Sequence, residues 1–214
     1  MRELVLTWRA LAPAAILAAI GANLWTSVSN GDFRFFDFFG YFTNQTNLLA
    51  AAVLLIALRY TGRERPVWVE WARVSVATYL VIVTAVYWTM LTHENVSHPW
   101  ANLIIHGLSA VVLVVDWLVE GPRRPLPLRG VGIVLAFGLA WIAVVLVRGA
   151  TDGWVPYPFL DPVNGYAPLA IVIASLIMVG LAITVALTQL SRWRAVVPAD
   201  AHAEMPQSRR VDAA

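Results

Sequence analysis

The sequence predicts an all-α, polytopic membrane protein: a single bundle of six transmembrane helices with both termini in the cytoplasm. Three observations support this fold class. Of the 214 residues, 59% are hydrophobic and only 13% are charged, about half the charged share of an ordinary soluble domain. Uncharged stretches long enough to cross a bilayer recur along the chain. The arginines, which are the only basic residues besides histidine, concentrate on one side of these stretches.

Six stretches free of Asp, Glu, Lys and Arg define the predicted helices. Roughly 20 residues of helix, at about 1.5 Å each, cross the ~30 Å hydrocarbon core, so each stretch corresponds to one span. The predicted spans cover, approximately, residues 10–29, 38–58, 74–92, 99–118, 130–148 and 167–191. Residues 1–195 therefore form one transmembrane domain. Residues 196–214 lack apolar periodicity and are expected to be a disordered cytoplasmic tail.

The arginines predict the orientation of the spans. In the six-span arrangement only Arg34 and Arg148 lie on the outer side, and the remaining arginines flank the other ends of the helices. By the positive-inside rule, both termini then face the cytoplasm. The expected location is the cell membrane, as a multi-pass protein. The use of arginine without any lysine indicates a GC-rich, bacterial genome.

Composition also limits the chemistry that the chain can support. There is no cysteine, which excludes disulfides, thiolate metal sites and cysteine nucleophiles. His106 is the only histidine in the middle of a span, whereas a b-type haem needs two axial ligands and a zinc site needs three or four. We therefore expect no metal and no cofactor. The arginines are too scattered for a nucleic-acid surface, so membrane lipids are the expected partners, and the oligomeric state stays open.

The second span opens with a run of polar side chains. At about 100° per residue, five consecutive residues go right round a helix and cannot all face lipid. This end of the span must therefore be enclosed by neighbouring helices or water. The first, fourth and fifth residues of the run share one face. The run is Thr43, Asn44, Gln45, Thr46 and Asn47.

The fourth span carries a second group of polar residues, which lie along one stripe of the helix. The stripe consists of Asn102, His106, Ser109 and Asp116. Thr43 and His106 both lie roughly 8–10 Å below the outer interface, at 1.5 Å per residue. Asn23 and Trp88 lie at a comparable depth, whereas Asp116 is expected to be a boundary or packing residue. A hydroxyl, an imidazole and several amides at one level of the outer leaflet predict a candidate active site.

The chemistry that fits these residues is acyl transfer. A threonine hydroxyl becomes a useful nucleophile when a neighbouring base such as neutral His106 takes its proton. The amides of Asn44, Gln45 or Asn47 are candidate donors to a developing oxyanion. The simpler alternatives are a threonine that bonds to the backbone of its own helix and a histidine with a structural hydrogen bond.

Three motifs follow one another along the chain. The first is Thr43 in the second span. The second is the segment Asn102–His106, which ends ten residues before Asp116. The third is the segment Gly153–Asp161, which reads Gly-Trp-Val-Pro-Tyr-Pro-Phe-Leu-Asp. In this order the motifs resemble the androgen-induced protein family, which includes the androgen-dependent TFPI-regulating protein. The family consists of six-pass threonine hydrolases that act on fatty-acid esters of hydroxy fatty acids. The resemblance implies Thr43 as the nucleophile and His106 as its partner.

The chain departs from the family pattern at three places. Animal members have Thr-Phe-x-Asn/Asp where this chain has Thr43-Asn-Gln-Thr-Asn, so Thr46 is a rival nucleophile and Asn47 a shifted amide. Leu103 stands where the family often has a histidine, and Pro156 is an additional residue. The sequence therefore predicts a distant member of the family.

The longest outer loop, residues 148–167, is expected to cover the site. It combines interfacial aromatics with three prolines, which lower the entropy lost on ordering. We expect Tyr157 and Phe159 to fold over the outer ends of spans 2 and 4. Asp161 is expected either to bond a group near His106 or to cap the loop.

The predicted function is hydrolysis of a lipid ester within the membrane. The alternative is a non-enzymatic membrane protein that binds or transports a lipid or small solute in the same polar pocket.

Overall fold

The computed structural model describes residues 2–92, 96–121 and 126–190, and within these ranges the chain is helical with no β-strand. The all-α prediction is therefore confirmed. The helices are α1 (Arg2–Ser29), the short α2 (Phe35–Phe38), α3 (Phe42–Arg59), α4 (Val67–Val86), α5 (Pro99–Leu103), α6 (Ser109–Val119), α7 (Val131–Thr151) and α8 (Tyr166–Leu190). We call the end of the bundle that carries α2 the upper end, and the end where α1 begins the lower end.

Short turns of other helix types connect or extend these elements. A π-helical turn, Tyr87–Leu91, continues α4, and a second one, Ile104–Leu108, joins α5 to α6. A 3-10 turn, Leu128–Gly130, leads into α7. Two more, Pro158–Leu160 and Pro162–Asn164, shape the loop between α7 and α8.

Five helical segments are long and apolar enough to cross a membrane. In the part of the chain that the structure describes, they are Arg2–Ser29, Val67–Leu91, Pro99–Val119, Leu128–Thr151 and Tyr166–Leu190. The polar opening of α3 lowers its hydropathy, and α3 packs between α1 and α4. The sixth span and the orientation remain predictions. The predicted tail, residues 196–214, lies outside the described residues.

Several helices begin at residues other than those predicted from the charge-free stretches. α1 begins at Arg2 rather than near residue 10, and α4 begins at Val67 rather than near residue 74. The prediction treated charged residues as helix boundaries, but Arg9, Glu70 and Arg73 are paired inside the bundle. α3 begins at Phe42 rather than near residue 38, because α2 and a turn at Gly40 precede it.

The paired charges form a buried ion-pair cluster at the lower end of the bundle. Arg9 Nε lies 2.6 Å from Asp116 Oδ1, and Arg73 Nη2 lies 2.6 Å from Asp116 Oδ2. Asp116 is thus a packing residue that joins α1, α4 and α6. Three arginines face three carboxylates, so the cluster is neutral as a whole; its members are Arg9, Arg65, Arg73, Glu70, Asp116 and Glu120.

At the upper end, α2 and α3 meet α7 through a close contact that depends on Gly40. A Cβ atom at this position would lie 2.4 Å from the carbonyl oxygen of Phe36 and 2.6 Å from the ring of Trp154. The Gly40 carbonyl also accepts a hydrogen bond of 2.8 Å from Trp141 Nε1. Only glycine therefore allows the chain to turn here, and this turn fixes where α3 begins.

Candidate active site at the upper end of the bundle

Thr43 is the second residue of α3, at a helix N-terminus whose first backbone N–H groups have no partner within the helix. The residue is 8% exposed. Its Oγ1 lies 3.4 Å from the Tyr157 hydroxyl, and its backbone N lies 3.5 Å from the same oxygen. Both contacts are long, so the Thr43 hydroxyl is held weakly and stays accessible to a ligand.

His106 is oriented by two contacts. Its Nδ1 lies 2.8 Å from Asn102 Oδ1, one helical turn earlier. Its ring stacks on Tyr87, with centroids 3.8 Å apart and planes at 15°. Because the amide oxygen accepts, Nδ1 carries the proton, and Nε2 keeps the lone pair that a general base requires.

The two π-helical turns bring this stack together. Tyr87 lies in the π turn that extends α4, and His106 lies in the π turn between α5 and α6. Trp88 Nε1 donates a 2.9 Å hydrogen bond to the His106 carbonyl and so joins the two turns. π turns inside helices occur frequently at functional sites, and here they aim an imidazole between helices.

Thr43 and His106 both open into one apolar cavity of about 100 Å³. The cavity continues downward between α4, α7 and α8, where its walls are almost entirely hydrocarbon side chains. Tyr157 and Phe159 line its top, and their rings stack in parallel with centroids 5.3 Å apart. A hydroxyl and an imidazole thus stand at the mouth of an apolar channel.

A second, polar cavity is also lined by His106. It has a volume of about 280 Å³ and lies between the upper ends of α1 and α5. We call it the polar vestibule; it is lined by Asn23, Thr26, Ser27, Asp32, Val96, Ser97, His98, Asn102, Ile105 and His106. His106 therefore lines both an apolar cavity and a polar one.

A family model described as FAR-17a/AIG1-like protein matches residues 29–192, well over half of the chain. The chain belongs to the FAR-17a/AIG1-like family. This is the androgen-induced protein family that the sequence motifs resemble, so the prediction of the family is confirmed. The match runs from the end of α1 through α8 and includes Thr43, His106 and Tyr157. No curated protein and no solved structure matches the chain.

In this FAR-17a/AIG1-like protein, the other polar residues of α3 serve the backbone rather than the cavity. Thr46 is fully buried and donates its hydroxyl to the Phe42 carbonyl at 2.8 Å. Its proton is therefore already used, and its hydroxyl does not reach the cavity. The structure thus favours Thr43 over its rival at the candidate site.

The amides that were expected to donate to an oxyanion donate to backbone carbonyls in this structure. Asn44 Nδ2 donates to the Phe38 carbonyl at 2.7 Å, and Gln45 Nε2 donates to the Phe39 carbonyl at 2.9 Å. Asn47 Nδ2 donates to the carbonyls of Thr43 and Ile105, at 2.9 Å each. These amides fix the start of α3 and its contact with the π turn.

The remaining predicted residues divide between the site and its supports. Asn102 lines the polar vestibule, but Trp88 is half exposed and donates to the backbone carbonyl of His106. Ser109 is buried away from the apolar cavity. Asp161 Oδ1 accepts from the Val163 backbone N–H at 2.9 Å, so it caps a 3-10 turn instead of reaching His106.

Tyr157 and Tyr87 matter more at the site than the sequence indicated. Enclosure of the Tyr157 hydroxyl raises its pKa to about 12, so the group stays a neutral donor. Tyr87 was missed because a π turn leaves no signature in helical periodicity.

Nothing in the described residues groups three or more His, Asp or Glu side chains closely enough to hold a metal.

Proposed function

We propose that the protein hydrolyses a lipid ester, with Thr43 as the nucleophile and His106 as the general base. The observation that carries this proposal is the shared cavity: the Thr43 hydroxyl and the His106 imidazole open at the top of the same apolar channel. The family resemblance suggests a fatty-acid ester of a hydroxy fatty acid as the substrate class. The acyl chain occupies the channel, and the ester carbonyl lies beside Thr43.

In the first step, Thr43 Oγ1 attacks the ester carbonyl carbon, and His106 Nε2 takes the hydroxyl proton. No direct hydrogen bond joins the two side chains among the described residues. Proton transfer therefore runs through one water or tightens when the ester binds, as in many unliganded active sites. The C–O bond to the alcohol breaks, His106 returns the proton to the leaving oxygen, and the acyl group stays on Thr43.

The negative charge on the carbonyl oxygen needs donors near Thr43. The neutral Tyr157 hydroxyl lies 3.4 Å from Thr43 Oγ1, and the first N–H groups of α3 point out of the helix N-terminus. Donors of this kind, fixed in a site that excludes water, stabilise an oxyanion. In our proposal Tyr157 replaces the side-chain amides in this role.

In the second step, water cleaves the acyl–Thr43 ester. His106 lines the polar vestibule as well as the apolar cavity, so in our proposal the vestibule supplies the water. His106 takes a proton from the water, the hydroxide adds to the acyl carbon, and the proton returns to Thr43 Oγ1. The products are the free fatty acid and the regenerated hydroxyl.

The missing direct hydrogen bond between Thr43 and His106 favours a second candidate function. An apolar channel can bind a fatty acid or another lipid without any reaction. The protein would then be a non-enzymatic lipid-binding or transport protein. In that case Thr43 and His106 would affect binding alone.

The test is the turnover of a fatty-acid ester of a hydroxy fatty acid by the purified protein in detergent. Thr43→Val and His106→Gln should each lower kcat by about 10²- to 10⁴-fold, the usual contribution of acid–base or nucleophilic groups. Thr46→Val is the matched control, because it makes the same change one turn away from the cavity, and it should keep the parental rate.

Two results would contradict the proposal. One is parental turnover in Thr43→Val. The other is an inactive parent protein that still binds the ester or the free fatty acid, which would support the lipid-binding alternative.

A further inference from the structure

Two glycines on facing helices lie in the lower part of the apolar cavity. Gly138 of α7 and Gly180 of α8 both line the cavity. Each lies about 20 Å from the upper end of its helix, at 1.5 Å per residue. His106 lies about 10 Å below the start of α5 by the same rise. Measured along their helices, the two glycines therefore lie about 10 Å deeper than His106.

The glycines leave room that any other residue would fill. A Cβ atom at Gly138 would meet no atom within 4 Å, so a side chain there would project into open space. A Cβ at Gly180 would lie 3.4 Å from Ile82 Cδ1 and 4.0 Å from Leu135 Cδ2, both of which are cavity-lining residues. Neither glycine has a positive φ, so the backbone conformation does not require them.

The polar groups at this level are already paired with one another. Thr184 donates its hydroxyl to the Gly180 carbonyl at 2.7 Å, so its oxygen accepts from the Thr78 hydroxyl at 3.2 Å. Thr78 and Thr184 are 1% and 0% exposed. Among the described residues, these two threonines therefore leave no free donor at this level, and a chain that ended in a hydroxyl or carboxylate would be left unpaired there. A terminal methyl group fits.

We propose that Gly138 and Gly180 determine which acyl-chain length the protein accepts, by setting the depth of the channel beneath His106. The ligand is an acyl chain that ends in a methyl group. This inference rests on the proposed function for its substrate class, but its physical content is the shape of the cavity. A side chain at either glycine shortens the channel and excludes the last methylenes of a long chain.

The experiment compares Gly138→Leu with Gly132→Leu. Gly132 also lies in α7, and a Cβ atom added there would also meet no atom within 4 Å. Gly132 is exposed, however, and does not line the cavity. Both substitutions raise helix propensity. For each variant, kcat/KM is measured on a series of p-nitrophenyl esters of increasing acyl length, and binding of the corresponding free fatty acids is measured separately.

Gly138→Leu should shift the preferred length to shorter chains in both measurements. The loss for long chains should be about fourfold for each methylene that no longer enters the channel. Gly132→Leu should keep the parental profile. An unchanged profile for Gly138→Leu would overturn the inference even if esters are hydrolysed. If no ester is hydrolysed but long fatty acids bind Gly138→Leu selectively more weakly, the length inference stands and the proposed hydrolysis fails.

Discussion

The hydrogen bonds around individual hydroxyls separate residues that look equivalent in the sequence. Thr43 and Thr46 lie on one face of α3, three residues apart, and either could serve as a nucleophile by residue type. Thr46 donates to the Phe42 carbonyl at 2.8 Å, while Thr43 has only long contacts to Tyr157. Sequence reasoning left this choice open, because backbone bonding of a threonine depends on its rotamer and on the start of the helix.

A prediction at this scale concerns Asn102, which holds Nδ1 of His106 at 2.8 Å. Asn102→Leu should lower kcat by about 5- to 13-fold, because an orienting hydrogen bond is worth about 1–1.5 kcal/mol. KM should change little, since Asn102 does not line the apolar cavity. Steady-state kinetics on one ester measures both constants.

Asn23→Leu is the control for this prediction, because Asn23 lines the polar vestibule without bonding the His106 ring. It should leave kcat within a small factor of the parental value. An equal loss of kcat in both variants would mean that the polarity of the vestibule, rather than the orientation of His106, was removed.

Among the elements, the loop between α7 and α8 and the two π turns position the site. The loop's aromatics and prolines predicted a cover, and Tyr157 and Phe159 do line the top of the cavity. The loop packs on α3 and α7 rather than on span 4, because Tyr157 contacts Thr43 and Trp141. The π turns were beyond prediction, since an extra residue per turn follows from tertiary packing rather than from local sequence.

A prediction for the loop is that Tyr157→Phe lowers kcat by about 10²-fold, the cost of one oxyanion donor, while the loop stays docked through its ring. Burial raises the pKa of Tyr157 to about 12, above its ordinary value of about 10. The contribution of this pKa shift to the stability of the folded protein is therefore complete below pH 10 and is lost as pH rises towards 12.

An ultraviolet titration checks the ionisation of this phenol. Up to pH 11, the parent and Tyr157→Phe should release nearly the same amount of phenolate. A clear deficit of phenolate in the variant near pH 10 would show that Tyr157 is not held neutral.

For the molecule as a whole, composition and periodicity predicted the helical bundle, and the polar runs of spans 2 and 4 predicted where the candidate site lies. The ends of the helices were predicted less well. Charged residues served as boundaries in the prediction, but Arg9 and Arg73 lie inside helices, where Asp116 pairs with both. Such pairing joins residues more than 40 positions apart, so a single sequence gives no sign of it.

The ion-pair cluster yields a stability prediction. Asp116→Asn leaves two buried arginines without their shared carboxylate and should lower the free energy of unfolding by about 3–5 kcal/mol. Thermal unfolding in detergent measures the effect. Asp152→Asn is the control, because its ion pair with Arg148 is solvent-exposed, and such pairs contribute little. Equal unfolding temperatures for the two variants would mean that the cluster does not hold the lower end together.

The central claim, that Thr43 is an activated nucleophile beside His106, is tested most directly by covalent labelling. The purified protein is treated with a fluorophosphonate probe, and the modified residue is located by peptide mass spectrometry. The account predicts labelling on Thr43 that persists in Thr46→Val and disappears in Thr43→Val and His106→Gln. Labelling of Thr46, or an undiminished label in Thr43→Val, would contradict it.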